Sequence, residues 1–179
     1  SGLLVVVFSG LISLPLAYII ARYEFRGKIL LQTAATLPLV IPPFVGAVAL
    51  QLILGRSGMV NLLLMRWFDT TVPFMEGLTG VVLVQTLHFF PFILLNTVVS
   101  LSNIDPSMEE MAQNMGCHGF RLFRRITLPL MLPGFVAGSL LTFIRAIDDL
   151  GTPFILNYKN LLAPQAYLLI TSVGMDAVD

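Results

Sequence analysis

Charge is what this chain has least of. Only 11% of its residues are Asp, Glu, Lys or Arg, and the formal net charge is +0. No global field can therefore recruit nucleic acid, and the basic residues matter through their distribution. Cysteine occurs once, at Cys117, which excludes an intramolecular disulfide. The two histidines, His88 and His118, have no partner ligands at metal spacing, so no metal site and no cofactor are expected. His88 reads as a packed histidine, and His118 beside Cys117 as part of a contact surface. A charged start with a short apolar core and a cleavage site is also missing. Ser1 leads almost directly into an apolar stretch, as in a piece cut from something longer. What abounds instead is apolar: hydrophobic residues make up 56% of the chain and the mean hydropathy is +0.89, values of a membrane protein.

A bilayer core of about 30 Å needs roughly 20 apolar residues in a helix. Four stretches meet or approach that length, at 3–21, 29–54, 78–101 and 130–147. The stretch 154–178 is apolar but cut by Asn157, Lys159, Asn160, Pro164 and Gln165, which suits an interfacial or re-entrant segment, and it is left unassigned as a crossing. The expected fold is all-α, a polytopic transmembrane helix bundle. Pro38, Pro42 and Pro43 in LPLVIPP predict a kinked or interrupted second span. Carbonyls freed there need neighbouring helices or a water-lined cavity, which makes Pro42 and Pro43 candidates for a pathway wall; a packing kink is the alternative. Gly46, Ala47, Gly134, Ala137, Gly138 and Ser139 are small enough to let helices approach closely.

With four crossings, the loops 22–28 and 102–129 share one side. That side holds Arg22, Arg26, Lys28, Arg121, Arg124 and Arg125, against Arg56, Arg66 and Lys159 on the other. Positive loops stay in the cytoplasm, so 102–129 is expected inside. Arg145 precedes Asp148 and Asp149 by three and four residues and can share a helix face with them. Two readings stand, a structural ion pair or the lining of an outer gate.

The polar segment EEMAQNMGCHGFRLFRRITLP lies between two apolar stretches. Asp105 can cap a helix that starts at Pro106, where a proline loses no bond. Glu109 and Glu110 then sit near its positive end. Gly116 and Gly119 end or bend that helix, and Phe120, Leu122, Phe123 and Ile126 supply contacts for a second short segment. Two short helices with a corner suit a lever that seats in a partner's groove. An amphipathic loop on anionic headgroups, with Arg121, Arg124 and Arg125 downward, is the alternative.

Glu110, Ala112, Gly116, Ile126, Leu128 and Pro129 stand at one spacing. Glu, a residue, Ala, three residues, Gly, nine residues, Ile, a residue, Leu-Pro resembles the cytoplasmic signature loop of ABC importer permeases, with Met111 where the family usually has alanine. SLPLAYIIARYEFRGK and LPLVIPPFVGA look like that family's second helix and the start of its third. IDDLGTPFIL is similar to the ferric iron branch. The resemblance implies a type I ABC importer permease core in a bacterial inner membrane, truncated at both ends, with residues 105–129 as a coupling loop. It also implies partners: paired ABC ATPase subunits at that loop, an external solute-binding protein, and a second permease half, fused or separate. Ferric iron is the expected solute, while polyamine, thiamine, phosphonate and sulfate permeases share the loop.

Two other strings point elsewhere. Gly55, Arg56, Ser57 and Gly58 spell the GxSG of rhomboid intramembrane serine proteases, with His88 on the next span, although the string is short and falls at a span end. Gly27 and Lys28 make the only GK pair, but Arg22 stands where a phosphate loop needs its first glycine. No catalytic residue is expected, and ATP hydrolysis must come from a partner. A secondary carrier or channel is the broader alternative.

Overall fold

A computed structural model describes residues 1–158 and 160–175. Helix forms along the long apolar runs and continues through Pro15, Pro91 and Pro133 inside them. The order is α1 (Gly2–Arg22), α2 (Lys28–Thr36), α3 (Pro43–Leu54), α4 (Met59–Phe68), α5 (Gly77–Ser102), α6 (Pro106–Asn114), α7 (Phe120–Leu122), α8 (Leu128–Asp148), α9 (Gly151–Ile155) and α10 (Leu162–Met175). Among the described residues there is no strand. Four stretches are long and apolar enough to cross a membrane: Gly2–Arg22, Pro43–Phe68, Gly77–Ser102 and Phe120–Asp148.

α5 is the central helix, packed between α1 and α8. Val5, Ala17 and Ile20 of α1, Ile93 and Leu94 of α5 and Met131 of α8 are buried, and Ala17, Ile20, Leu94 and Met131 share one core cluster. The approach of α5 and α8 depends on glycine. A Cβ at Gly138 would lie 2.7 Å from the Ile93 Cα, and one at Gly134 would lie 2.4 Å from the Asn96 carbonyl oxygen. Outward faces carry exposed apolar side chains, such as Leu3, Val7 and Leu11 on α1 and Leu140 and Ile144 on α8, which suits a hydrocarbon solvent.

Pro91 lies inside α5 and offers no amide to the helix ladder. Hydroxyls from both neighbours bond backbone carbonyls around it. Ser13 Oγ donates to the Phe90 carbonyl at 2.8 Å, Ser9 Oγ to that of Thr86 at 3.4 Å, and Thr142 Oγ1 to that of Phe89 at 3.3 Å. Short hydroxyls thus cross-link three helices without placing a charge in the bundle.

The stretch 29–54 is divided. α2 ends at Thr36, a 3-10 turn covers Leu37–Leu39, and α3 begins at Pro43, its first helical residue. Pro38 tightens the first break, and Pro42, extended at ψ 139°, makes the second. The second long apolar stretch therefore begins at Pro43 rather than at residue 29. It is itself bent at Gly55–Gly58, where Asn61, fully buried, donates to the Gly55 and Val72 carbonyls at 2.9 and 3.0 Å. Arg56 pairs with Glu76 beside this bend and holds that carboxyl below its usual range. Within 154–178, α10 is described over Leu162–Met175, and Lys159 and residues 176–178 lie outside the described residues.

Candidate functional site

The polar loop is ordered by its own residues. Asp105 Oδ1 accepts from the Ser107 backbone amide at 2.9 Å, which caps α6 and holds this carboxyl below the ordinary carboxylate range. α6 stops where Gly116 takes φ +82°, and Gly119 follows at φ +57°, ψ −129°, a region open to glycine alone. The Cys117 amide bonds back to the Ala112 carbonyl at 2.9 Å, closing the corner.

Beyond the corner the expected second short helix is not separate. Phe120–Asp148 is one apolar helical stretch that leads straight into α8. Residues Phe123–Thr127 adopt a π-helical turn, with the Leu128 amide bonded to the Phe123 carbonyl five residues back. The wider turn accommodates Pro129, which would clash with the preceding turn of a regular helix and lacks an amide. Phe123 packs edge-on against Tyr18 of α1, ring centroids 5.6 Å apart.

Of the six spaced residues, Ala112 is buried, Ile126 and Leu128 are half-buried, and Glu110, Gly116 and Pro129 are exposed. Leu128 packs on the core cluster shared by α1, α5 and α8. Glu110 points outward beside exposed Met108, Met111, Met115 and Phe120. The carboxylate that engages the bundle is its neighbour Glu109. Glu109 Oε1 accepts from Arg22 at the end of α1 and from Thr127 Oγ1 at 2.9 Å. Sequence spacing singled out neither Arg22 nor Thr127 for this. A basic residue closing the first span and a hydroxyl before Leu128 were the available signals.

At the other end of α8, a cavity of about 540 Å³ brings together Pro42, Pro43, Arg145, Asp148 and Asp149, with His88 on its wall. The expected ion pair is absent: among the described residues Arg145 has no carboxylate partner. The helix ends at Asp148, and Asp149, extended at ψ 106°, turns away. Its carboxylate accepts from Gln85 Nε2 at 3.0 Å and from the Thr152 amide at 3.2 Å. Polar groups of both signs, beside a broken helix, line a space able to hold water and a small solute.

Ser57 and His88 are not brought together. His88 faces Gly46, whose added Cβ would lie 3.8 Å from its Nδ1. From Gly46 to the end of α3, before Ser57, the helix rises about 12 Å. No group of three or more His, Cys, Asp or Glu able to hold a metal occurs among the described residues.

A family model described as binding-protein-dependent transport system inner membrane component matches residues 13–164. The molybdenum transport system permease protein ModB of Haemophilus influenzae is 40% identical over 154 residues, covering 84% of this chain and 66% of that protein. Its namesake in Escherichia coli is 35% identical over 148 residues, covering 83% and 64%. The ferric transport system permease protein FbpB of Actinobacillus pleuropneumoniae is 30% identical over 181 residues, covering 98% of this chain and 25% of that protein. The chain thus spans less than two thirds of the length of these relatives.

Proposed function

The chain belongs to the binding-protein-dependent transport system inner membrane components, the permeases of ABC importers, and on that premise we propose that it forms part of the path of an ATP-driven molybdenum oxyanion importer. In this reading paired ABC ATPase subunits grip residues 105–129, an external solute-binding protein delivers the solute, and a second permease half, fused or separate, completes the path. The observation that carries the coupling role is the shape of the loop. Two positive-φ glycines fold a capped helix into a corner, and that corner runs without interruption into α8. A push on the exposed face of Met111, Met115 and Phe120 therefore reaches the far end of α8. Glu110, Ala112, Gly116, Ile126, Leu128 and Pro129 serve this coupling. Pro42, Pro43, Arg145, Asp148 and Asp149 line the outer part of the path.

For the solute, the support is 40% identity to a molybdenum permease over most of the chain, against 30% to a ferric one. Molybdenum in neutral oxidising water is a tetraoxoanion, a solute of a size that a 540 Å³ cavity admits. Ferric iron, expected from LPLVIPPFVGA and IDDLGTPFIL, is kept as a second reading because the ferric relative aligns over 98% of the chain. The test is Gly116→Asp in the intact importer. Loss of ATPase co-purification and of molybdate uptake is expected, and normal values of both would overturn the coupling role. Melting of the solute-binding protein encoded beside this chain decides the solute: a rise with molybdate and none with ferric citrate supports the first reading, and the reverse supports the second.

A further inference from the structure

We propose that Arg22, Glu109 and Thr127 are positioning residues that make the loop, the end of α1 and the start of α8 move as one body. The inference rests on the coupling role proposed for residues 105–129 and deepens it. One oxygen, Glu109 Oε1, takes donors from two helices: the Arg22 guanidinium of α1, 87 residues away in sequence, and Thr127 Oγ1 of the segment entering α8. The three groups are enclosed. The Arg22 and Glu109 side chains are 20% and 17% exposed, and Thr127 is buried. A charge pair so shielded is little screened by salt, and removing one member leaves the other charge stranded.

Packing places the same three elements in one unit. Tyr18 of α1 meets Phe123 of the π turn edge to face, and Phe123 and Leu128 both pack on the cluster built from Ala17, Ile20, Leu94 and Met131. Glu109 and Glu110 thereby divide the work of adjacent positions. On a helix they differ by about 100° in direction. Glu109 faces the bundle and fastens the loop to it, while Glu110 faces solvent and is free for a partner. Without the Glu109 tie, a push on α6 still reaches α8 through the corner, but the corner gives where its two glycines bend, and the loop's hold on the end of α1 falls to the packing of Phe123 and Leu128. The end of α1 then no longer follows the loop in full.

The experiment uses the assembled importer in vesicles and reads molybdate taken up per ATP hydrolysed. Arg22→Ala and Glu109→Ala are expected to keep the ATPase subunits bound and hydrolysing, while uptake per ATP falls about tenfold, the usual order of coupling between sites. The exchanged pair Arg22→Glu with Glu109→Arg is expected to recover most of it. A merely structural pair would lower both activities together. Should the single variants fail to assemble, Arg22→Cys with Glu109→Cys, in a Cys117→Ser background, gives the second arm: the two side chains meet only at their far ends, so the thiols are joined by a bifunctional methanethiosulfonate whose spacer replaces the lost length, and this cross-link is expected to leave uptake intact, because the tie stays closed throughout the cycle. Unchanged uptake per ATP in the alanine variants, or uptake lost on cross-linking and regained on reduction, would overturn the tie. Gly116→Asp separates the two failures. If it abolishes ATPase binding while the alanine variants are normal, only the tie falls; if it changes nothing, the coupling role falls as well.

Discussion

Asp105 begins α6 with a single side-chain bond, and its titration has a definite sign. The Ser107 backbone amide, assisted by the Ser107 side chain, stabilises the carboxylate and lowers its pKa from the ordinary value of 3.8. A depressed acid contributes stability above its unfolded pKa and loses it as pH falls through the folded one. At neutral pH the cap is therefore fully formed, and it weakens only below the ordinary aspartate range. Asp105→Ala should raise hydrogen exchange in the first turn of α6 at pH 7 and leave it unchanged at a pH where the native carboxyl is protonated. Equal protection in both proteins at pH 7 would show that Pro106 alone sets the start of the helix. Local chemistry of this kind was legible from sequence. The helix start at Asp105–Pro106 and the bends at Gly116 and Gly119 each depend on a few neighbouring residues. The choice between Glu109 and Glu110 was not legible, because Arg22 decides it from another helix.

At the scale of helices, α5 and α8 meet through glycines one turn apart. Gly138 presses on the α5 backbone at Phe92 and Ile93, so a larger side chain there must separate two helices rather than turn a side chain aside. Gly138→Val should lower the thermal stability of the detergent-solubilised protein by about 1–3 kcal/mol, the usual range for overpacking. Ala137→Val, on the exposed face of the same helix, should leave it unchanged. An equal drop for both would mean that valine weakens α8 itself. Small residues in a span announce close packing, yet they do not say which of them meets a neighbour. Gly134 and Gly138 do, and Ala137 does not. Proline was read more fully. Pro38, Pro42 and Pro43 gave the break between α2 and α3. At Pro129 the chain receives a proline without ending the helix, since the π turn before it is wider than a regular one. Of the two readings of Arg145, the ion pair does not form, for a related reason. Helical spacing put it beside Asp148 and Asp149, but the helix ends at Asp148 and Gln85 claims the second carboxylate.

For the molecule as a whole, orientation is decided by which loops share an end. The Arg22–Glu109 pair fixes this physically, joining the end of α1 to the loop that follows α5. Arg26, Lys28, Arg121, Arg124 and Arg125 gather at the same end, and Arg56 and Arg66 lie in the segment between α3 and α5. An inner-membrane permease keeps its positive end in the cytoplasm, where ATP is available to a partner. Cys117, half-buried in the glycine corner and the only thiol in the chain, reports on that end directly. A membrane-impermeant maleimide should label it in inside-out vesicles and leave it untouched in intact spheroplasts. ATPase subunits bound to the loop should slow the labelling, since Met115 and Phe120 of the proposed contact face flank the thiol. Labelling from the outer side alone would put the corner beyond the reach of any nucleotide-driven partner. The continuous helix from Phe120 to Asp148 would then have no motor at its base, and the cavity at its other end would open toward the cytoplasm.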